Sequence, residues 1–466
     1  MTTEILEPRP MTTDLATLLR NTTERAIRYI DGLEHRGVAP SPEAVRRLAA
    51  LDEPMPEGPT DPEAVLSLLD QYGSPATMAM VGPRFFGFVI GGSLPAPLAA
   101  NWLATAWDQN TGLHTVTPGT AVLEKIALDW MVDLLGLPSG TGGAFVTGAT
   151  VANLTALAAA RHAVLERAGW NVEADGLFGA PPVTVILGDE VHPSVRKSLG
   201  ILGLGRNRVV TVPVDNQGRL RVAALPRIAG PTIILTQAGN VNTGAFDPIA
   251  EICDRAAETG AWVHVDGAFG LWAAASADRA HLATGLAQAD SWATDAHKWL
   301  NVPYDSGIAF VRRPDALRAA MAITAEYLPA ASGEQRNPSD FTPELSRRAR
   351  GVDVWAALRS LGRSGLSEMI ERSCRQARLF ATLLAEAGFE ILNDVVLNQV
   401  LVSFGDPATT ERTIVDLQAD GTCWAGRTVW QGRTAMRISV SCWATTDEDV
   451  RLSVAAMVRV AGGRRG

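Results

Sequence analysis

The chain has 466 residues, 47% of them hydrophobic and 20% charged, which excludes a wholly disordered chain and suits two or three globular domains. Forty-one cations against 50 acids give a net charge of −9, so no global basic field exists and duplex nucleic acid is not the expected partner. The four cysteines (Cys253, Cys374, Cys423, Cys442) show no CxxC spacing, which argues against a structural zinc site or disulfide scaffold and fits a cytoplasmic protein.

In chain order, Leu15, Leu18, Leu19, Ile27, Ile30 and Leu33 recur near helical spacing and predict an amphipathic helix over 12–35. A proline-rich connector (52–62) and a short helix to about Gln71 follow. This arm, 1–82, has too little core to stand alone and should pack on something larger, such as a second subunit. Met1–Arg20 has no continuous apolar core, so no secretory signal is read there. The longest uncharged stretch, Phe85–Ala106, contains Gly91, Gly92, Pro95 and Pro97, which speaks against a membrane span. It reads instead as an active-site loop leading into a buried helix.

Over 83–355, helical stretches (120–135, 150–168, 248–259) alternate with apolar runs: VTVIL (183–187), RVVTV (208–212), TIILT (232–236), WVHVD (262–266) and GIAFV (307–311). That alternation predicts an α/β domain with a mainly parallel sheet, binding ligands at the carboxyl ends of its strands. Residues 356–466 change texture: a helix near 365–387, strands near 398–404 and 434–441, and a closing helix 446–460 predict a small C-terminal α+β domain.

Four features sit at expected strand ends. The turn Thr147-Gly148-Ala149-Thr150 opens an Ala- and Leu-rich helix, presenting free N–H groups and a positive dipole end to a phosphate monoester. The absence of GxGxxG and GxxxxGK[ST] disfavours a dinucleotide or nucleoside triphosphate. Asp266 ends an apolar strand, where a carboxylate costs desolvation unless it meets a cation such as a protonated pyridine nitrogen. Lys298 lies between His297 and Trp299, a setting for an imine-forming amine. It is one of only three lysines, with Lys125 and Lys197, in an arginine-biased chain. His192 can stack on a flat ring. One cofactor uses all four features, pyridoxal 5′-phosphate.

With these residues in place the sequence resembles the group II pyridoxal-phosphate decarboxylases, the family of aromatic-L-amino-acid, glutamate and diaminobutyrate decarboxylases. The resemblance runs from about Arg84 and is carried by RFFGF (84–88), TPGTAVLE (117–124), FVTGATVANLTAL (145–157), HPS (192–194), VNTGAFDPI (241–249), HVDGAFG (264–270), DAHKW (295–299) and MRISVSCW (436–443). It implies fold type I architecture, with a large domain built on a seven-stranded-type sheet, and a homodimer. It also implies Lys298 as the Schiff-base lysine, Asp266 on the ring nitrogen, and Ala268 and His192 on the two ring faces. Gly148, Ala149, Thr150 and His297 would line the phosphate, Asn240 would reach the ring's phenolic oxygen, and Arg437 would meet a substrate carboxylate.

Three departures from the family pattern stand out. Asp295 occupies a position that is often Asn, and a carboxylate beside a phosphate is repulsive unless turned away or paired. Cys442 replaces an Asn. In the loop 326–348, Phe341 matches a proton-donating Tyr, with Tyr327 at the loop base. The expected reaction is decarboxylation of an L-amino acid to the amine. The alternatives are oxidative decarboxylation-deamination to an aldehyde, or a related carbon–carbon lyase. Twelve Trp against four Tyr, with Phe85 and Trp102 near the pocket-forming segment, lean toward an aromatic or apolar substrate side chain.

Overall fold

The computed structural model describes residues 14–323 and 335–462. Seven strands form the main sheet: β1 (Gly142–Val146), β2 (Thr184–Gly188), β3 (Val209–Val212), β4 (Thr232–Gln237), β5 (Trp262–Asp266), β6 (Ser291–Asp295) and β7 (Gly307–Val311). Their order is β1-β7-β6-β5-β4-β2-β3; only β7 runs antiparallel to its neighbours. The strands bury alternate residues on opposite faces. Val263 and Val265 join one core with Ile186, Ile234 and Phe310, whereas Trp262 joins the other with Val185, Ile233 and Val311. The helix Ala149–Glu166 covers that second face through an Ala-rich surface in which Ala152, Ala156, Ala159 and Ala160 are wholly buried. Small side chains let it lie close to the strands. At its start the approach is tighter still: a Cβ on Gly307 would fall 2.4 Å from the Cα of Gly148.

A second sheet of β8 (Glu390–Ile391), β9 (Gln399–Ser403), β10 (Gly426–Trp430) and β11 (Arg433–Ser439) is antiparallel, in the order β10-β11-β9-β8. Its core residues Val400, Val402, Met436 and Ile438 pack with Phe380, Leu417 and Val454 of three helices. Two of these, Pro407–Asp420 and Asp447–Gly462, are continuous; the third belongs to Arg350–Glu386, which breaks at Gly362, where φ is 61°.

Two expectations change. The helix after the glycine-rich loop, Pro95–Trp107, is not buried within this chain: Pro97 is its one buried residue, while Trp102, Leu103 and Trp107 are exposed. β1, β6, β8, β10 and the helix Pro407–Asp420 are present in addition to the expected elements. The N-terminal helix Leu15–Asp31 buries no residue and is tied to the next segment by Arg25, which pairs with Glu63 and Asp70. Among the described residues, no helix is long and apolar enough to cross a membrane.

Candidate active site

The carboxyl ends of β4, β5 and β6 and the start of the helix Ala149–Glu166 border a cavity of about 630 Å³, whose other wall includes Phe88, Thr428 and Arg437. Parallel strands deliver their last residues to one edge, so Gln237, Asp266 and Asp295 all reach it.

At the helix start, the Ala149 N–H donates to Asp295 Oδ1 at 2.5 Å, and Asp295 Oδ2 lies 3.0 Å from Lys298 Nζ. The carboxylate thus neutralises a helix N-terminus and an ammonium together. His297 Nδ1 accepts the Ser306 N–H at 3.0 Å, leaving Nε2 to carry the ring hydrogen, 3.6 Å from Asp295 Oδ1. Its ring stacks on Tyr304 at 4.2 Å, and burial lowers its pKa.

Asp266 is buried at the end of β5, and burial pushes its carboxyl above the usual range. Its Oδ1 accepts the Ala268 N–H at 3.2 Å and its Oδ2 accepts Asn153 Nδ2–H at 3.1 Å. Behind it, Asn153 Oδ1 lies 2.8 Å from His264 Nε2, and His264 Nδ1 lies 2.8 Å from Ser291 Oγ, which also accepts from Trp262 Nε1 at 2.8 Å. Neither Asn153 nor the role of His264 was foreseen. The available signal was period-two spacing, which puts Trp262, His264 and Asp266 on one face of β5.

His192 caps the helix Pro193–Ile201; its Nδ1 accepts the Ser194 N–H at 3.3 Å and sits 2.7 Å from Ser194 Oγ. The cavity walls lower its pKa although solvent reaches the ring. Arg437, on β11, projects into the cavity with no ion pair or hydrogen bond from its guanidinium among the described residues.

The cavity brings together Gly148, Ala149, Thr150, His192, Asp266, Ala268, His297, Lys298 and Arg437. Other expected residues lie elsewhere. Asn240 does not line it: its Oδ1 accepts the N–H groups of Asn242 and Thr243 at 2.9 and 3.3 Å, making it a turn cap. Gln237 and Asn242 line the cavity instead. Phe85 is buried against Trp424, ring centroids 5.1 Å apart, and Trp102 faces outward on its helix. Phe88, stacked on the same Trp424 at 5.5 Å, lines the cavity, as does Phe269. Phe341 packs beneath Arg336, whose guanidinium carbon is 4.1 Å from the ring centroid, and does not line this chain's cavity. Tyr327 lies outside the described residues. Cys442 is buried, and burial pushes its thiol up to about 11.

This donor set suits pyridoxal 5′-phosphate. Asp266 is a buried carboxylate whose hydrogen bonds come from neutral amides, so a cationic ring nitrogen would relieve its desolvation. Lys298 opens onto the same space, and Thr147, Gly148, Ala149 and Thr150 offer hydroxyls and a helix N-terminus for a phosphate.

The family described as the pyridoxal-dependent decarboxylase conserved domain matches residues 42–405. An aromatic-L-amino-acid decarboxylase of Bacillus atrophaeus is 28% identical over 348 residues, covering 72% of this chain and 70% of that protein. An L-2,4-diaminobutyrate decarboxylase of Rhizobium meliloti is 30% identical over 409 residues, covering 83% and 80%. The crystal structure of Oryza sativa TDC with PLP and tryptamine superposes with a TM-score of 0.90 at 23% identity, covering 99% of this chain and all of that one.

Proposed function

The chain belongs to the pyridoxal-dependent decarboxylase family, and from that premise we propose that it removes CO2 from an L-amino acid with an aromatic or apolar side chain to give the amine. The observation that carries this reading is the guanidinium of Arg437, without a partner among the described residues, in the same cavity as Lys298 and Asp266. A half-buried cation without an anion is costly, and a substrate carboxylate would relieve it. Burial alone lowers the Arg437 pKa.

When bound, pyridoxal 5′-phosphate supplies the electron sink for the charge left as CO2 departs. Lys298 supplies the amine that holds the cofactor and yields it to the substrate. Asp266 holds a proton at the ring nitrogen. Gly148, Ala149, Thr150 and His297 would surround the phosphate, and Ala268 and His192 would flank the ring. His192 presents Nε2 to the cavity and would return a proton to the α-carbon in its imidazolium form, with Nδ1–H then donating to Ser194 Oγ, 2.7 Å away. Phe88, backed by Trp424, offers the apolar surface for the side chain.

We also propose a homodimer. Trp102, Leu103, Trp107 and Trp130, with Leu15 and Leu19 of the N-terminal helix, are exposed in the single chain, and a second copy would bury them. Incubation with a panel of L-amino acids, with CO2, amine, aldehyde and peroxide measured together, tests the activity. Equimolar CO2 and amine from an aromatic or aliphatic substrate is expected. Aldehyde and peroxide under air would replace the amine reading, and turnover confined to diaminobutyrate would overturn the substrate class. Sedimentation showing a fully active monomer would remove the dimer.

A further inference from the structure

Asp266 is the last acceptor in a chain of buried polar groups that no water reaches. Trp262 is 1% exposed, and His264, Asn153 and Ser291 are 0% exposed. An indole N–H can only donate, so Ser291 Oγ accepts from Trp262 and is free to turn its own hydrogen to His264 Nδ1. With Nδ1 accepting, the neutral imidazole carries its hydrogen on Nε2 and donates to Asn153 Oδ1. That contact fixes the amide, so Nδ2–H points at Asp266 Oδ2.

The reverse arrangement fails on chemistry. With the hydrogen on Nδ1, His264 would donate to Ser291, whose hydroxyl would lose its acceptor. The Asn153 amide would turn, setting its oxygen against the Asp266 carboxylate unless Asp266 were protonated. Only the forward arrangement satisfies every hydrogen beside an ionised Asp266. Burial depresses the His264 pKa to about 3, which keeps the imidazole neutral, as the forward chain requires.

We propose that Trp262, Ser291, His264 and Asn153 form a one-directional hydrogen-bond relay whose function is to hold Asp266 as an ionised acceptor aimed at the cofactor's ring nitrogen. His264 and Asn153 are positioning residues. They touch neither cofactor nor substrate and act through Asp266. The inference rests on the reading that Asp266 meets that nitrogen. The other titratable groups facing Asp266 are His192 and Lys298.

Two measurements test it. Nitrogen-15 NMR of the cofactor-free enzyme, labelled at histidine, reads the His264 tautomer directly. Hydrogen on Nε2 at pH 7 is expected, and hydrogen on Nδ1 or an imidazolium would overturn the relay. The second is a comparison of dissociation constants for pyridoxal 5′-phosphate and its 1-deaza analogue, which lacks the ring nitrogen. The preference of the wild type for the natural cofactor should fall about tenfold in His264→Phe and Asn153→Leu, the value of a hydrogen bond to a charged group. It should be retained in His264→Gln, whose amide N–H can still donate to Asn153. If Asp266→Asn loses the preference while His264→Phe and Asn153→Leu keep it, Asp266 meets the nitrogen without needing the relay. If Asp266→Asn keeps it, the ring-nitrogen reading fails and the relay's function goes with it. Should His264→Phe not fold, Asn153→Leu and the wild-type tautomer still decide.

Discussion

The two walls of the cavity are built differently. On the main-sheet wall, Asp266, Asp295 and His297 each hold a hydrogen bond or charge partner, and the groups behind them are sealed from water. On the small-sheet wall, Arg437 has no partner among the described residues, and Phe88 stands 61% exposed at φ 54°. A wall whose polar groups are already satisfied is organised in advance for one unchanging group. A wall with an unpaired cation and an uncovered aromatic is left for a molecule that comes and goes. This division matches a cofactor shared across a family whose members take different substrates.

The largest expected effects fall on the first wall. Lys298→Ala should reduce turnover to background, and borohydride reduction of the cofactor-loaded wild type should label Lys298. Label on Lys125 or Lys197 would place the cofactor elsewhere. Asp266→Asn should slow kcat about a thousandfold, roughly 4 kcal/mol, with the chain still folded. Near-normal turnover would mean that another group holds the ring nitrogen.

The cost of sealing that wall should show in acid. His264 has a folded pKa of about 3 against about 6.5 for a free histidine, so from pH 6.5 downward the unfolded chain binds the extra proton. Its contribution to stability is therefore full above pH 6.5 and lost as pH falls toward 3, roughly 3 kcal/mol by pH 4. Asp247, pushed up to about 6 by burial, works in the opposite sense: its contribution is present at low pH and lost as pH rises through 6. Asp353, also pushed up to about 6 by burial, acts as Asp247 does, and the wild-type curve mixes these contributions. Subtracting the denaturation curve of His264→Gln isolates the histidine, and an unchanged acid slope in that variant would mean that His264 is charged in the fold.

Arg437→Gln probes the second wall. Losing a charge-assisted hydrogen bond costs about 1.5–3 kcal/mol, so KM should rise roughly tenfold to a hundredfold while cofactor affinity stays near wild type. A matching loss of cofactor affinity would erase the distinction between the walls.

How much of this was legible in the sequence follows the same line. Strands rich in β-branched residues, such as TIILT and WVHVD, declare themselves. GGAFV and SWATD do not, because Gly, Ser and Asp carry no strand signal; their place in the sheet comes from pairing with β7. The helix PATTERTIVDLQAD hides behind its threonines and is stabilised by burial of Thr410, Ile414 and Leu417. Candidate residues adjoining strand ends or a glycine turn do line the cavity. Phe85 carries the local signal and Phe88 reaches the cavity, because which ring faces it rests on contacts with Trp424, far away in sequence. Trp102 was read as pocket-forming because an exposed tryptophan cannot be told from a buried one by type alone. The relay joins a helix to two strands, and only their packing brings Asn153, His264 and Ser291 within hydrogen-bond distance.

Asp295 gives the smallest expected effect and the finest test, since it sits on the satisfied wall yet carries the charge a phosphate would oppose. Its carboxylate holds the Ala149 N–H and lies 3.0 Å from Lys298, so it is paired, as a carboxylate near a phosphate must be. A phosphate arriving at the same helix start brings like charge to within a few ångströms and competes for an amide already in use. Asn at this position keeps the acceptor for Ala149 and removes the charge. Asp295→Asn should therefore tighten pyridoxal 5′-phosphate binding about fivefold, and lower the stability of the cofactor-free protein by about 1 kcal/mol as one helix-terminus charge and one ion pair are lost. Equilibrium dialysis and thermal melts without cofactor read the two effects separately. If cofactor binding weakens while stability falls, the carboxylate's main work is to hold Lys298 in place for the cofactor. The satisfied wall would then owe its order to the lysine pairing and not to the helix terminus.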